Sequence, residues 1–134
     1  RRDMIDYLEI PFSQINNIKN GAGWTANGRT YSHEELTTPS EKPRSYAYCS
    51  DTRYIPTLHE LLKDVDLLYH ESTYCMDNLQ LATAYNHSTA AQAATVARDA
   101  CVGKLLLGHF SARYVDENVL LREAQTVIFA DILG

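Results

Sequence analysis

An α/β fold, with helices laid against one face of a sheet, is predicted by two features of this sequence. From Ser45 onward, short runs rich in β-formers alternate with amphipathic helical runs, the pattern that layered sheet-and-helix domains produce. The chain has 134 residues and is 45% hydrophobic, enough apolar matter to fill a core of its own.

Residues 1–44 form a first segment of irregular pattern. Turn signals stand at Asn20-Gly21 and Asn27-Gly28, and prolines bracket residues 39–43, so loops with short strands are expected. The α/β segment, residues 45–134, opens with Ser45-Tyr-Ala-Tyr-Cys49, a strand-like run. Pro56 to Asp64 follows as a helix with Leu58, Leu61 and Leu62 on one face, its proline near the start where the missing N–H costs little. Val65-Asp-Leu-Leu-Tyr69 reads as a second strand, and Asp77 to about Tyr85 as a second helix.

Thr89-Ala-Ala-Gln92 has the spacing of a capping box, in which the threonine accepts from a free backbone donor and the glutamine returns the bond. It opens an alanine-rich helix to Cys101, ended by Val102-Gly103. Lys104 to Leu107 is a third strand, and Glu117 to Ile128 a closing amphipathic helix. Repeats and low-complexity tracts are absent.

The apolar runs are far shorter than the ~20 residues needed to cross a bilayer, so no membrane span is expected. Cys49, Cys75 and Cys101 are too widely spaced for a CxxC site, and an odd count argues against a disulfide framework; a reducing cytoplasm is the simplest setting. The net charge is −5, whereas nucleic-acid affinity comes mostly from Lys and Arg neutralising phosphates. If the chain handles RNA, most of the basic grip lies elsewhere. The chain starts Arg1-Arg2-Asp3-Met4 with no apolar run behind it, and the expectation is a piece of a longer protein.

The chemically capable residues fall beside strand ends or a helix start. Asp51 follows the first strand, His70 and Glu71 the second and His109 the third, while His87 precedes the capped helix. In open α/β sheets, ligands gather at the carboxyl ends of strands, so one shared site is expected. Imidazole and carboxylate are good zinc ligands, and paired metal ions promote phosphodiester hydrolysis. Taken singly, each residue also has a plainer use. Asp51 suits an Asx turn, His109 a strand end, His87 a position before a cap, and Glu71 a loop tie. His70 reads as structural, and Arg53 and Arg113 fit either a phosphate or their own loops.

Ser50-Asp51-Thr52, His70-Glu71-Ser72-Thr73, His87-Ser88-Thr89 and Gly108-His109-Phe110-Ser111-Ala112-Arg113-Tyr114 occur in order and at suitable spacing. In this they resemble ribonuclease Z, a branch of the metallo-β-lactamase superfamily. The match runs from about Pro43 to Tyr114, with a weaker similarity over Ile5 to Gly28.

The resemblance implies the C-terminal half of an αββα sandwich, a mixed sheet with helices on its outer face. It implies metal ligation by Asp51 and His109 in a site for two zinc ions, and proton donation by His87 working with Glu71. The activity implied is removal of 3′ trailers from precursor tRNA by metal-activated hydroxide. Serine at position 72 departs from the family's His-Glu-Ala-Thr segment but leaves Glu71 in place.

A larger departure is that the five histidines, at 33, 59, 70, 87 and 109, include no pair within four residues, so the superfamily's His-x-His-x-Asp-His segment is missing. This polypeptide alone is therefore expected to hold no stable dinuclear centre and to cleave no tRNA. With one sheet face needing cover, it is expected to form a homodimer when alone. The rival readings are an esterase or arylsulfatase-like hydrolase on the same fold, and a non-catalytic interaction module.

Overall fold

The structure is a computed structural model and describes residues 1–130; the last four positions of the α/β segment expected over 45–134 lie outside the described residues. The chain divides into two compact units, Arg1–Pro43 and the remainder from Arg44.

The first unit holds helix α1 (Arg2–Tyr7), a 3₁₀ turn (Phe12–Gln14), helix α2 (Ile15–Lys19), strands β1 (Trp24–Ala26) and β2 (Arg29–Tyr31), and helix α3 (His33–Leu36). Strands β1 and β2 pair antiparallel across Asn27-Gly28. Both turn residues have positive φ, 52° and 75°, as two-residue hairpin turns of matching twist require. Helix α3 carries a capping box: the Ser32 hydroxyl accepts from the Glu35 N–H and the Glu35 carboxylate accepts from the Ser32 N–H. The three short helices bury Leu8, Ile10, Ile18 and Leu36 in a small core of their own. Each helix spans six residues or fewer, too short for its periodicity to stand out in the sequence.

The second unit alternates strand and helix: β3 (Tyr46–Cys49), α4 (Leu58–Leu61), β4 (Leu67–Glu71), a 3₁₀ turn (Met76–Asn78), α5 (Leu79–Ala84), α6 (Ala90–Asp99), β5 (Lys104–Gly108) and α7 (Asn118–Phe129). The sheet order is β3-β4-β5, all parallel, with Cys49 opposite His70 and Glu71 opposite Gly108. Across the chain, strands therefore pair in both senses, antiparallel in the hairpin and parallel here.

Alternation decides which face each strand residue serves. Ala47, Cys49, Leu68 and Leu105 pack with Leu62, Val96, Ala97 and Ala100 beneath helices α4 and α6. Alanines 90 and 94 let α7 approach α6 closely, bringing Leu120 and Ala124 into a second cluster. Leu68 and Leu120 are fully buried, each contributing about 1.5–3 kcal/mol of hydrophobic stabilisation. The opposite face carries Tyr46, Tyr48 and Leu106, which are 59%, 62% and 50% exposed. Tyr48 stacks on Tyr69, with ring centroids 4.6 Å apart.

Two boundaries differ from the sequence expectation. Strand β4 continues through His70 and Glu71, because β5 supplies ladder partners up to Gly108. The expected nine-residue helix from Pro56 contracts to Leu58–Leu61. Helix α6 opens with the expected capping box: the Thr89 hydroxyl accepts from Gln92 N–H at 3.1 Å and Gln92 Oε1 from Thr89 N–H at 3.0 Å. No helix among the described residues is long and apolar enough to cross a membrane.

Candidate active site

Four chain segments meet at the carboxyl ends of β3, β4 and β5, and hydrogen bonds to backbone carbonyls tie them together. The loop after β3 is held by the Ser88 hydroxyl donating to the Thr52 carbonyl at 2.7 Å. Ser72 N–H donates to the Gly108 carbonyl at 2.9 Å and Ser111 N–H to the Thr73 carbonyl at 3.0 Å, binding the end of β4 to the loop after β5. Tyr74 and Thr89 form an isolated parallel bridge, which fixes the His87-Ser88-Thr89 segment beside β4. Asp51, Glu71, His87 and His109 are thereby brought together.

Asp51 and His109 both adopt the left-handed backbone region, with φ of 49° and 58°. Such a conformation costs a non-glycine residue on the order of 1–3 kcal/mol, and it persists where surrounding structure over-determines it. Here both departures turn side chains toward each other, placing His109 Nε2 2.9 Å from Asp51 Oδ1. Glu71 is fully buried and accepts from Thr73 N–H at 3.0 Å, the Thr73 hydroxyl at 2.9 Å and His87 Nδ1 at 2.8 Å. These three bonds offset the loss of water around a buried carboxylate. The imidazoles of His87 and His109 stack with centroids 5.2 Å apart, and Tyr74 meets His87 edge-on.

One ligand atom from each of Asp51, His87 and His109 lies within 4.8 Å of the others. Two imidazoles and a carboxylate are a donor set suited to zinc. The Asp51–His109 contact supports that fit. If His109 Nδ1 carries the ring proton, Nε2 and Oδ1 face each other as two lone pairs at 2.9 Å, an arrangement that needs a cation against both or a second ring proton between them. The residues present therefore fit a metal ion.

His70, expected to be structural, and the loop residues Arg53, Arg113 and Tyr114 lie outside this three-residue cluster. His70 Nδ1 donates to the Glu71 carbonyl at 2.7 Å, and its buried Nε2 has no hydrogen-bond partner, which places it in the sheet and apart from the cluster. Arg53 lines a shallow cavity of about 230 Å³ together with Tyr54, Thr83, Asn86, His87 and Gln92. Arg113 N–H donates to the Ser111 hydroxyl within its own loop. The Tyr114 hydroxyl accepts from Cys75 N–H at 2.7 Å and Asn78 Nδ2 at 2.9 Å, so it braces the 3₁₀ turn.

Three residues escaped the sequence reading. Thr73 bonds to Glu71 and lies within hydrogen-bond distance of both His87 and His109. Ser88 fastens the Asp51 loop, and the Glu123 carboxylate on α7 accepts from the backbone N–H groups of Met76 and Ala91. Thr73 and Ser88 were signalled only by their places in the His-Glu-Ser-Thr and His-Ser-Thr segments; nothing local marked Glu123.

No family model matches the chain. Among curated proteins, it is 51% identical over 128 residues to ribonuclease Z of Phocaeicola vulgatus, covering 95% of this chain and 41% of that protein. It is 48% identical over 134 residues to ribonuclease Z of Bacteroides fragilis, covering 99% of this chain and 44% of that one. The chain is similar to the C-terminal part of ribonuclease Z. It spans about two fifths of the length of the ribonuclease Z proteins it matches. Among solved structures, the metallo-β-lactamase fold protein YhfI from Bacillus subtilis aligns at a TM-score of 0.55 and 30% identity, over 60% of this chain and 32% of that one. The fold is that of the C-terminal half of a metallo-β-lactamase-type sandwich, and the ribonuclease Z likeness extends over both units.

Proposed function

We propose that this chain supplies one side of the active site of a zinc-dependent endoribonuclease that removes 3′ trailers from precursor tRNA, acting within a longer protein. The observation that carries the reading is the convergence of Asp51, His87 and His109, with Glu71 buried behind His87. Asp51 and His109 hold metal, the remaining ligands coming from a segment this sequence lacks. A divalent ion held there supplies Lewis-acid polarisation of the phosphodiester and a nucleophile at neutral pH.

His87 serves the leaving group. Its Nδ1 is engaged by Glu71 at 2.8 Å, so Nε2 is the nitrogen left to deliver a proton to the ribose 3′ oxygen as the bond breaks. Glu71 orients the ring through that bond. The acidic balance of the chain, −5, fits a division of labour in which basic contacts to the tRNA backbone come from elsewhere in the protein. The proposed compartment is the cytoplasm.

The test is cleavage of precursor tRNA by the full-length protein and its His87→Ala variant. Removing a general acid slows cleavage by about 10²–10⁴-fold, and zinc content stays at the wild-type level. Loss of zinc from the variant would make His87 a ligand, as its place in the three-residue cluster allows. Absence of cleavage by the wild-type protein would end the nuclease reading. The polypeptide alone is expected to cleave no precursor, and zinc-dependent turnover by it would overturn that part.

A further inference from the structure

Thr73 connects the Asp51–His109 pair to the Glu71–His87 pair. Its hydroxyl oxygen lies 2.9 Å from Glu71 Oε2, 2.9 Å from His109 Nδ1 and 3.3 Å from His87 Nδ1. A threonine hydroxyl has a single proton and two lone pairs, while a carboxylate only accepts. The proton therefore goes to Glu71. What remains toward His109 is a lone pair, so His109 Nδ1 must be the donor.

In a neutral imidazole the proton on Nδ1 leaves the lone pair on Nε2, and Nε2 is the nitrogen 2.9 Å from Asp51. We infer that Thr73 is a positioning residue that holds His109 in the Nδ1–H tautomer, aiming Nε2 at the metal, while its own proton anchors Glu71 behind His87. The inference rests on the reading of His109 as a metal ligand. A ligating histidine whose second nitrogen is held in this way gains both orientation and basicity.

A local turn explains only half of these bonds. Thr73 reaches Glu71 two residues earlier through both its N–H and its hydroxyl, a common way to shape the end of a strand. The bond to His109 spans 36 positions and has no such local purpose. Its geometry is set from both sides, since Ser72 N–H and Ser111 N–H clamp the backbone of the two loops together. One hydroxyl thus couples the orientation of the proposed ligand to that of the proposed acid.

The experiment uses the full-length protein, with Zn²⁺ affinity measured by competition against a chromophoric chelator. Thr73→Val removes the hydroxyl at nearly constant volume and is expected to weaken zinc binding by about 10–100-fold. Thr73→Ser keeps the hydroxyl and is expected to restore wild-type affinity. In the wild type, ¹⁵N-histidine NMR of the zinc form is expected to place the His109 proton on Nδ1.

Unchanged affinity in Thr73→Val overturns the inference, as does a serine variant as weak as the valine one, which would assign the effect to the methyl group. A His109 proton on Nε2 in the wild type overturns it too, and this measurement decides the matter should Thr73→Val fail to fold. Every readout uses zinc alone. A protein that binds zinc as expected but cleaves no tRNA would sink the proposed function and leave the role of Thr73 standing.

Discussion

His70 occupies the penultimate position of β4, fully buried, with its Nδ1–H committed to the Glu71 carbonyl and its Nε2 unpartnered. Burial pushes its pKa below the ordinary 6.5, the hydrogen bond to Glu71 and that residue's charge acting the other way. The unfolded chain therefore takes up the proton first as pH falls. Stability from this residue is present above pH 6.5 and is lost as pH drops through the lower value of the folded state. Thermal unfolding followed from pH 7.5 to 5 should show an acid decline that is shallower in His70→Leu. Equal slopes in the two proteins would mean that other groups control it.

The cysteines make a second prediction at the same scale. Burial, with Glu123 nearby, raises the Cys75 thiol to about 11, whereas Cys101 lies exposed after α6. Thiolate is the reactive form, so iodoacetamide at pH 7.5 should label Cys101 well before Cys75. Mass mapping that found Cys75 labelled first would contradict this environment. Residue chemistry of this sort was partly open to sequence. The types of Asp51, Glu71, His87 and His109 were visible, but the extension of β4 that turns His70 to the face of Leu68 and the adjacent Glu71 to the other face depends on β5 lying alongside β4.

At the scale of elements, the end of α6 shows how chain geometry divides tasks between neighbours. The sequence places the helix stop at Val102-Gly103, yet the left-handed residue is Cys101, with φ of 54°. Gly103 is required for a different reason. A Cβ there would lie 2.7 Å from the Asp66 carbonyl oxygen, where the chain crosses close to the start of β4. Because the obstacle is backbone, relief requires moving β5 itself. Gly103→Ala should cost about 1–3 kcal/mol, measured by denaturant unfolding, and should shift His109 just beyond the far end of β5. A variant as stable as the wild type would show that the crossing gives way easily.

The capping box on α6 was legible because both partners sit within four residues of each other. The extension of β4 through Glu71 was hidden, since its ladder partners on β5 lie 37 positions later. Short helices of the first unit were hidden for a related reason: their apolar faces are completed by residues from other elements, as Leu8, Ile10, Ile18 and Leu36 show.

For the molecule as a whole, the bare sheet face decides behaviour. Tyr46, Tyr48 and Leu106 stand exposed on one side of β3-β4-β5 while the other side is covered by helices. Apolar area of this kind seeks cover. In the longer protein the cover is proposed to be the other half of the sandwich, and in the isolated chain a second copy. Light scattering of the isolated chain should report a dimer that Leu106→Lys converts toward monomer. A monomer before the substitution would remove the homodimer proposal.

The order of strands and helices from Ser45 onward, the capping box on α6, a turn at Asn27-Gly28 and the residue types able to hold metal or move protons were legible in the sequence alone, because each depends on neighbours within a few positions. Only tertiary structure settled that Asp51 and His109 face each other at 2.9 Å, that His87 backs onto a buried Glu71, and that Thr73 joins the two pairs. Those facts depend on which strands lie side by side, and pairing over tens of residues is decided by burial of whole faces, which local pattern does not encode.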